Sequence, residues 1–122
     1  MLLVDDEDAV RGPAAERLRE LGFRVLEAAD GPAALRLLGE ARPDLLVTDV
    51  GLPNGMNGRQ VAEAARERWP GLPVLFITGY AGTALPSGVE VVGKPFGLDA
   101  LARRVQVILE AGGRDPDRDP GA

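Results

Sequence analysis

The chain has 122 residues, 45% of them hydrophobic, and a formal net charge of −5 from 14 basic and 19 acidic side chains. That length supports one domain around one core, and the acidic balance gives no footprint for nucleic acid or an anionic membrane. The absence of Cys excludes disulfides and cysteine-zinc sites, and the absence of His excludes a histidine base, a Ser-His-Asp triad and a phosphohistidine on this chain.

Leu2 to Val4 reads as a short buried strand ending in Asp5-Asp6, short enough at its amino end that Met1 could stand inside a longer protein. Asp8 is expected to cap the next helix, whose apolar positions Val10, Ala14, Leu18 and Leu21 share one face. Pro13 lacks a backbone donor, so a loose first turn and a regular helix from Pro13 to Leu21 are expected, with Gly22 as the stop. Phe23 to Ala28 alternates imperfectly and reads as a strand near the sheet edge. Asp30-Gly31-Pro32 starts a second helix with the stripe Ala34, Leu35, Leu37 and Leu38.

Leu45 to Asp49 is an apolar run that delivers one carboxylate to its end, followed by the turn-like Gly51-Leu52-Pro53-Asn54-Gly55. Gly58 to Trp69 reads as a third helix closed by Pro70-Gly71. Val74 to Ile77 is a strand ending in Thr78, and from Gly79 to Ser87 at most a stunted helix is expected. Val89 to Val92 is the last strand, leading to Lys94-Pro95-Phe96, and the last helix carries Leu98, Leu101, Val105, Ile108 and Leu109. Gly112-Gly113 ends it. Arg114 to Ala122 holds no apolar residue except its terminal Ala and is expected to be disordered. No apolar run approaches the roughly 18 residues of a membrane span, and no signal-peptide pattern precedes Leu2. A soluble, cytoplasmic domain with no membrane contact of its own is therefore expected.

Alternating strands and helices with short connections imply an α/β fold with a parallel sheet and right-handed crossovers. Five strands allow the order 2-1-3-4-5, which sets the first and third strands side by side and places Asp6 next to Asp49. Asp5, Asp6, Asp49, Thr78 and Lys94 then converge at the carboxyl edge of the sheet. Close carboxylates repel by roughly 4 kcal/mol per pair at an effective dielectric of about 20, and a divalent cation relieves that repulsion. Oxygen-only donors favour Mg²⁺ or Mn²⁺. Asp6 and Asp49 are expected as direct ligands, the main-chain carbonyl of Gly51 as a third, and Asp5 as a direct or water-mediated one. Lys94 is the only Lys beside thirteen Arg, which suggests that a compact ammonium is required there. Carboxylate, hydroxyl and ammonium around a cation have the parts for phosphoryl transfer, with Asp49 becoming an acyl phosphate.

Val4-Asp5-Asp6-Glu7, Asp49 followed by Leu52-Pro53, Asn57-Gly58, Thr78 and Lys94-Pro95-Phe96 resemble the receiver domain of two-component response regulators, over roughly Leu2 to Glu110. The resemblance implies a flavodoxin-like (CheY-like) doubly wound sheet and a receiver domain over residues 1–111, beyond which composition leaves a disordered tail over 112–122. It implies Asp49 as phosphoacceptor, Asp5 and Asp6 as the acidic metal pocket, Thr78 as the switch hydroxyl, Lys94 as the phosphate-contacting base, and a cis Lys94-Pro95 bond. The donor is then a phosphohistidine on a separate histidine kinase or histidine phosphotransfer protein. The domain assists its own phosphorylation and dephosphorylation without being an enzyme in the ordinary sense.

The segments Leu52 to Gly58 and Ile77 to Ala81 resemble receivers at the carboxyl end of hybrid sensor kinases, and some stand-alone receivers with a shortened fourth helix. The position three residues before the Lys, where the family carries an aromatic switch, is Val91. Tyr80 is the candidate to take over part of that switch or to shield the acyl phosphate from water. With no output segment after the last helix, a single-domain relay or a piece of a kinase is expected. Two other readings compete: an inert receiver-like scaffold, and a magnesium-dependent aspartyl-phosphate phosphohydrolase. The second wants an acid two residues after its nucleophile, and Gly51 stands there. A nucleotide switch would need a phosphate loop, and the sequence has none.

Overall fold

The computed structural model describes residues 1–79 and 90–113. Its elements alternate along the chain: β1 (Leu2–Val4), α1 (Asp8–Glu20), β2 (Leu26–Ala28), α2 (Gly31–Glu40), β3 (Leu46–Asp49), α3 (Gly58–Arg68), β4 (Val74–Thr78), β5 (Glu90–Gly93) and α4 (Leu98–Gly113). The strands form one parallel sheet in the order β2-β1-β3-β4-β5. This is the doubly wound 2-1-3-4-5 arrangement expected from the strand count. The stunted helix expected between β4 and β5, the Val89 start of β5, Tyr80 and the tail from Arg114 lie outside the described residues.

Side chains alternate across a strand, so each central strand feeds two cores. Leu3, Val47, Leu75 and Ile77 face Ala14, Ala15 and Leu18 of α1 and Leu101, Ala102 and Val105 of α4. Leu2, Val4, Leu46, Val74 and Phe76 face Ala34 and Leu38 of α2 and Val61, Ala62 and Ala65 of α3. Burial on both faces is why β1, β3 and β4 read as unbroken apolar runs. The edge strands differ, with Leu26 of β2 48% exposed and Val91 of β5 37% exposed.

Five expectations are corrected. Helix α1 runs unbroken from Asp8 through Pro13, because the single amide that proline removes falls in the second turn and its ring is exposed. Glu7, not Asp8, occupies the N-cap position, and it makes no side-chain cap. Leu21 is 41% exposed at the C-cap, and Ala15 is buried in its place. Strand β2 is three residues long rather than six, because β1, its only neighbour among the described residues, offers three residues to pair with. Helix α3 stops at Arg68, with Trp69 as its C-cap.

Two helix starts follow local chemistry. The Asp30 carboxylate accepts from Ala33 N at 2.8 Å with Pro32 at the head of α2. Asn57 and Gln60 form a reciprocal capping box that opens α3 directly after the loop leaving Asp49.

Candidate functional site

Parallel registers bring the site residues together. Val4 pairs with Thr48, so Asp5 and Asp49 stand where β1 and β3 end side by side. Thr78 pairs with Gly93, and the next residue, Lys94, donates its backbone N–H to the Thr78 carbonyl at 2.8 Å. The Lys94-Pro95 peptide is cis.

The Lys94 ammonium is the hub. Its Nζ lies 2.9 Å from Asp49 Oδ2, 3.0 Å from Asp5 Oδ2 and 2.9 Å from Glu7 Oε1. An ammonium carries three donors, and here it faces three carboxylates. Burial by itself would lower the Lys94 pKa, but the hydrogen-bonded carboxylates of Glu7 and Asp49 and the close carboxylate of Asp5 hold it above the ordinary lysine value. The side chain is therefore charged at neutral pH.

Asp5 is fully buried. Its Oδ1 accepts from Glu7 N at 2.9 Å, and its carbonyl accepts from Arg11 Nη1 at 2.7 Å. Burial pushes its pKa up, against the pull of the Glu7 amide and Lys94. Oδ2 is buried and has no aligned hydrogen-bond donor among the described residues, only the ion-pair contact with Lys94. An acceptor left this way costs free energy unless a cation takes it.

Asp49 is held by its backbone. Thr48 Oγ1 donates to the Asp49 carbonyl at 2.9 Å, Val50 N donates to Ile77 O, and Gly58 N donates to Val50 O. Its Oδ1 accepts from Gly51 N at 3.3 Å. The loop that follows turns through left-handed Asn54 and Gly55, with φ of 68° and 84°. Asn54 Nδ2 fastens it to Asp30 Oδ2 at 2.8 Å.

One carboxylate oxygen each from Asp5, Asp6 and Asp49 lies within 4.8 Å of the others. An all-oxygen donor set that includes a buried acceptor met only by an ion pair fits a hard divalent cation. Asp6 itself is exposed at the mouth. Thr78 is 8% exposed at the end of β4, on the edge that carries Asp49 and Lys94.

The structure thus gathers Asp5, Asp6, Asp49 and Lys94 as the sequence suggested, and adds Glu7 to them. Glu7 closes the Val4-Asp5-Asp6-Glu7 motif, which by itself assigns it no role. Only its place directly after Asp5-Asp6 hinted at one, because its partner is 87 residues away.

The description "Response regulator receiver domain" belongs to the family model that matches residues 1–106. The chain is a member of the receiver domain family. Among its relatives, the sensor kinase CckA of Brucella abortus (strain 2308) is 37% identical over 118 residues, which cover 90% of this chain and 12% of that kinase. The response regulator receiver protein CpdR of the same strain is 33% identical over 117 residues, covering 91% of this chain and 97% of that protein. The crystal structure of the receiver domain from the hybrid histidine kinase CckA superposes with a TM-score of 0.78 at 44% identity, covering 88% of this chain and 96% of that one. Several other curated relatives are longer, and the chain spans about half their length. The flavodoxin-like fold is shared with CheY-like receivers, and this receiver domain is a component of two-component signalling. Among its described residues, no helix is long and apolar enough to cross a membrane.

Proposed function

We propose that Asp49 accepts a phosphoryl group from a phosphohistidine of a histidine kinase or histidine phosphotransfer protein. The observation that carries this reading is the Lys94 ammonium 2.9 Å from Asp49 Oδ2, beside the three-carboxylate cluster at the sheet edge. A carboxylate oxygen of Asp49 forms the new bond to phosphorus as the phosphorus–nitrogen bond of the donor breaks, and the electron pair stays on the imidazole. Lys94 then meets a phosphoryl oxygen in place of a carboxylate oxygen. Thr78, on the same edge, is the hydroxyl assigned to another phosphoryl oxygen.

Asp5, Asp6, Asp49 and the Gly51 carbonyl would hold Mg²⁺ or Mn²⁺, which when bound neutralises charge on the transferred group. The other residues act by position: the β3 backbone fixes Asp49, and Arg11 and the Glu7 amide fix Asp5. We assign the exchange to the cytoplasm, and to the domain a part in its own phosphorylation and dephosphorylation rather than turnover of a separate substrate.

The test is incubation with acetyl phosphate and MgCl₂, read by intact mass. One phosphoryl group is expected on the native chain, and none on Asp49→Asn or in the presence of EDTA. An unmodified native chain, or equal labelling of Asp49→Asn, would remove the assignment.

A further inference from the structure

Three carboxylates share the Lys94 ammonium, and one of them belongs neither to the acidic metal cluster nor to the phosphoacceptor. Glu7 is 57% exposed, whereas Lys94 is 15% exposed, so its carboxylate reaches inward from the rim to the Lys94 ammonium. Its backbone is fixed independently of that reach. The Glu7 N–H holds Asp5 Oδ1, and its carbonyl accepts from Val10 N and Arg11 N to open α1. The side chain spans from the head of α1 to the turn between β5 and α4, along one wall of a cavity of about 510 Å³ formed with Val10, Pro13, Pro95 and Phe96.

The geometry points to Glu7 as a positioning residue that holds Lys94 back from the phosphoryl group and so limits how tightly that group is held at Asp49. This rests on Asp49 being the phosphoacceptor. Glu7 and the phosphoryl group compete for the same ammonium. The ammonium has three donors and already meets three acceptors, so a phosphoryl oxygen can take a full share only by displacing one of them. Asp5 is buried and cannot turn to water, and Asp49 carries the phosphoryl group. Glu7 is the exposed partner that can be released. Until it leaves, its negative charge and that of the phosphoryl group sit against the same ammonium and repel each other.

The experiment uses the full chain and two probes. Beryllium fluoride, a phosphoryl mimic, is titrated in fixed MgCl₂ by fluorine NMR, and MgCl₂ alone is titrated by calorimetry. Glu7→Gln keeps the length of the side chain and removes the charge. It is expected to bind beryllium fluoride about fivefold tighter than the native chain while binding Mg²⁺ equally or slightly more weakly. These responses separate the local charge from general damage, which would weaken both. Glu7→Asp keeps the charge and is expected to stay within about twofold of the native chain.

Beryllium fluoride affinity that is unchanged or lowered in Glu7→Gln overturns the inference, as does a gain in Glu7→Asp equal to that in Glu7→Gln. Asp49→Asn is the control for the reading beneath it. If that variant binds the mimic like the native chain, the phosphoacceptor assignment fails, whatever Glu7 does.

Discussion

Gly58 packs its backbone against the Asp49 carbonyl so closely that a Cβ on residue 58 would lie 1.9 Å from that oxygen and 3.0 Å from Thr48 Oγ1. The obstacle is main chain at the end of a central strand, so it cannot swing aside as a side chain would. The same residue donates its N–H to Val50 O at 2.8 Å. Gly58 thus lets the head of α3 lie directly against the segment that presents Asp49.

Gly58→Ala should destabilise the fold, although alanine is ordinarily the better helix former. The overpacking should cost about 2–3 kcal/mol, measured as a lower urea midpoint at unchanged slope. Phosphorylation by acetyl phosphate should fall as well, since the displaced backbone is that of Asp49. A melt that matches the native chain would show that α3 can back away freely.

Mg²⁺ should stabilise the native chain. At about tenfold excess over its dissociation constant, mass action gives roughly 1.4 kcal/mol. Asp6 is exposed, so Asp6→Asn should shift the metal-free melting temperature little and remove most of the Mg²⁺-dependent rise. Parallel thermal melts with MgCl₂ and with EDTA decide the point.

Lys94→Met should leave Asp5 buried beside Asp49 with its charge uncompensated. Breaking a buried pair from one side leaves that cost in the fold, here about 3 kcal/mol in EDTA. Mg²⁺ should then restore more stability than it adds to the native chain, because one cation replaces another among the same acids. Equal Mg²⁺ increments in both proteins would mean that Lys94 does not screen the cluster.

Asp30 should carry an acid-side signature. Its pKa is lowered by the Ala33 backbone hydrogen bond first and the Asn54 side chain second. A depressed carboxylate contributes stability that is present above the unfolded value of 3.8 and lost as pH falls through the folded one. Asp30→Ala should therefore melt lower than the native chain at neutral pH, and the gap should narrow as the pH falls below the unfolded value. A gap that persists in acid would assign the effect to packing of Met56 against Gly31 rather than to the carboxylate.

Much of the frame was legible because strong local signals agreed. The runs Leu2-Leu3-Val4, Leu45 to Val47 and Val74 to Ile77 are apolar on both faces, which only strands covered by helices on both sides require. Asp30-Gly31-Pro32 and the Asn57/Gln60 pair mark helix starts through chemistry confined to a few residues. Where the local signal was ambiguous, the structure decided otherwise. Pro13 reads as a breaker in isolation, but packing of Ala14, Ala15 and Leu18 carries α1 through it. Phe23 to Val25 look like strand, but β1 is too short to pair with them.

Local pattern along the chain settles which residues end each strand and therefore which side chains reach the carboxyl edge, since each apolar run stops at a polar or charged residue. It could not determine how the charges there divide one ammonium. Register between neighbouring strands sets Asp5 beside Asp49, burial separates Asp5 from exposed Asp6, and the turn after β5 carries Lys94 to Glu7 across 87 residues. Ion pairing depends on distance through space, and only the folded sheet brings carboxylates from the ends of β1 and β3 within about 3 Å of the ammonium that follows β5.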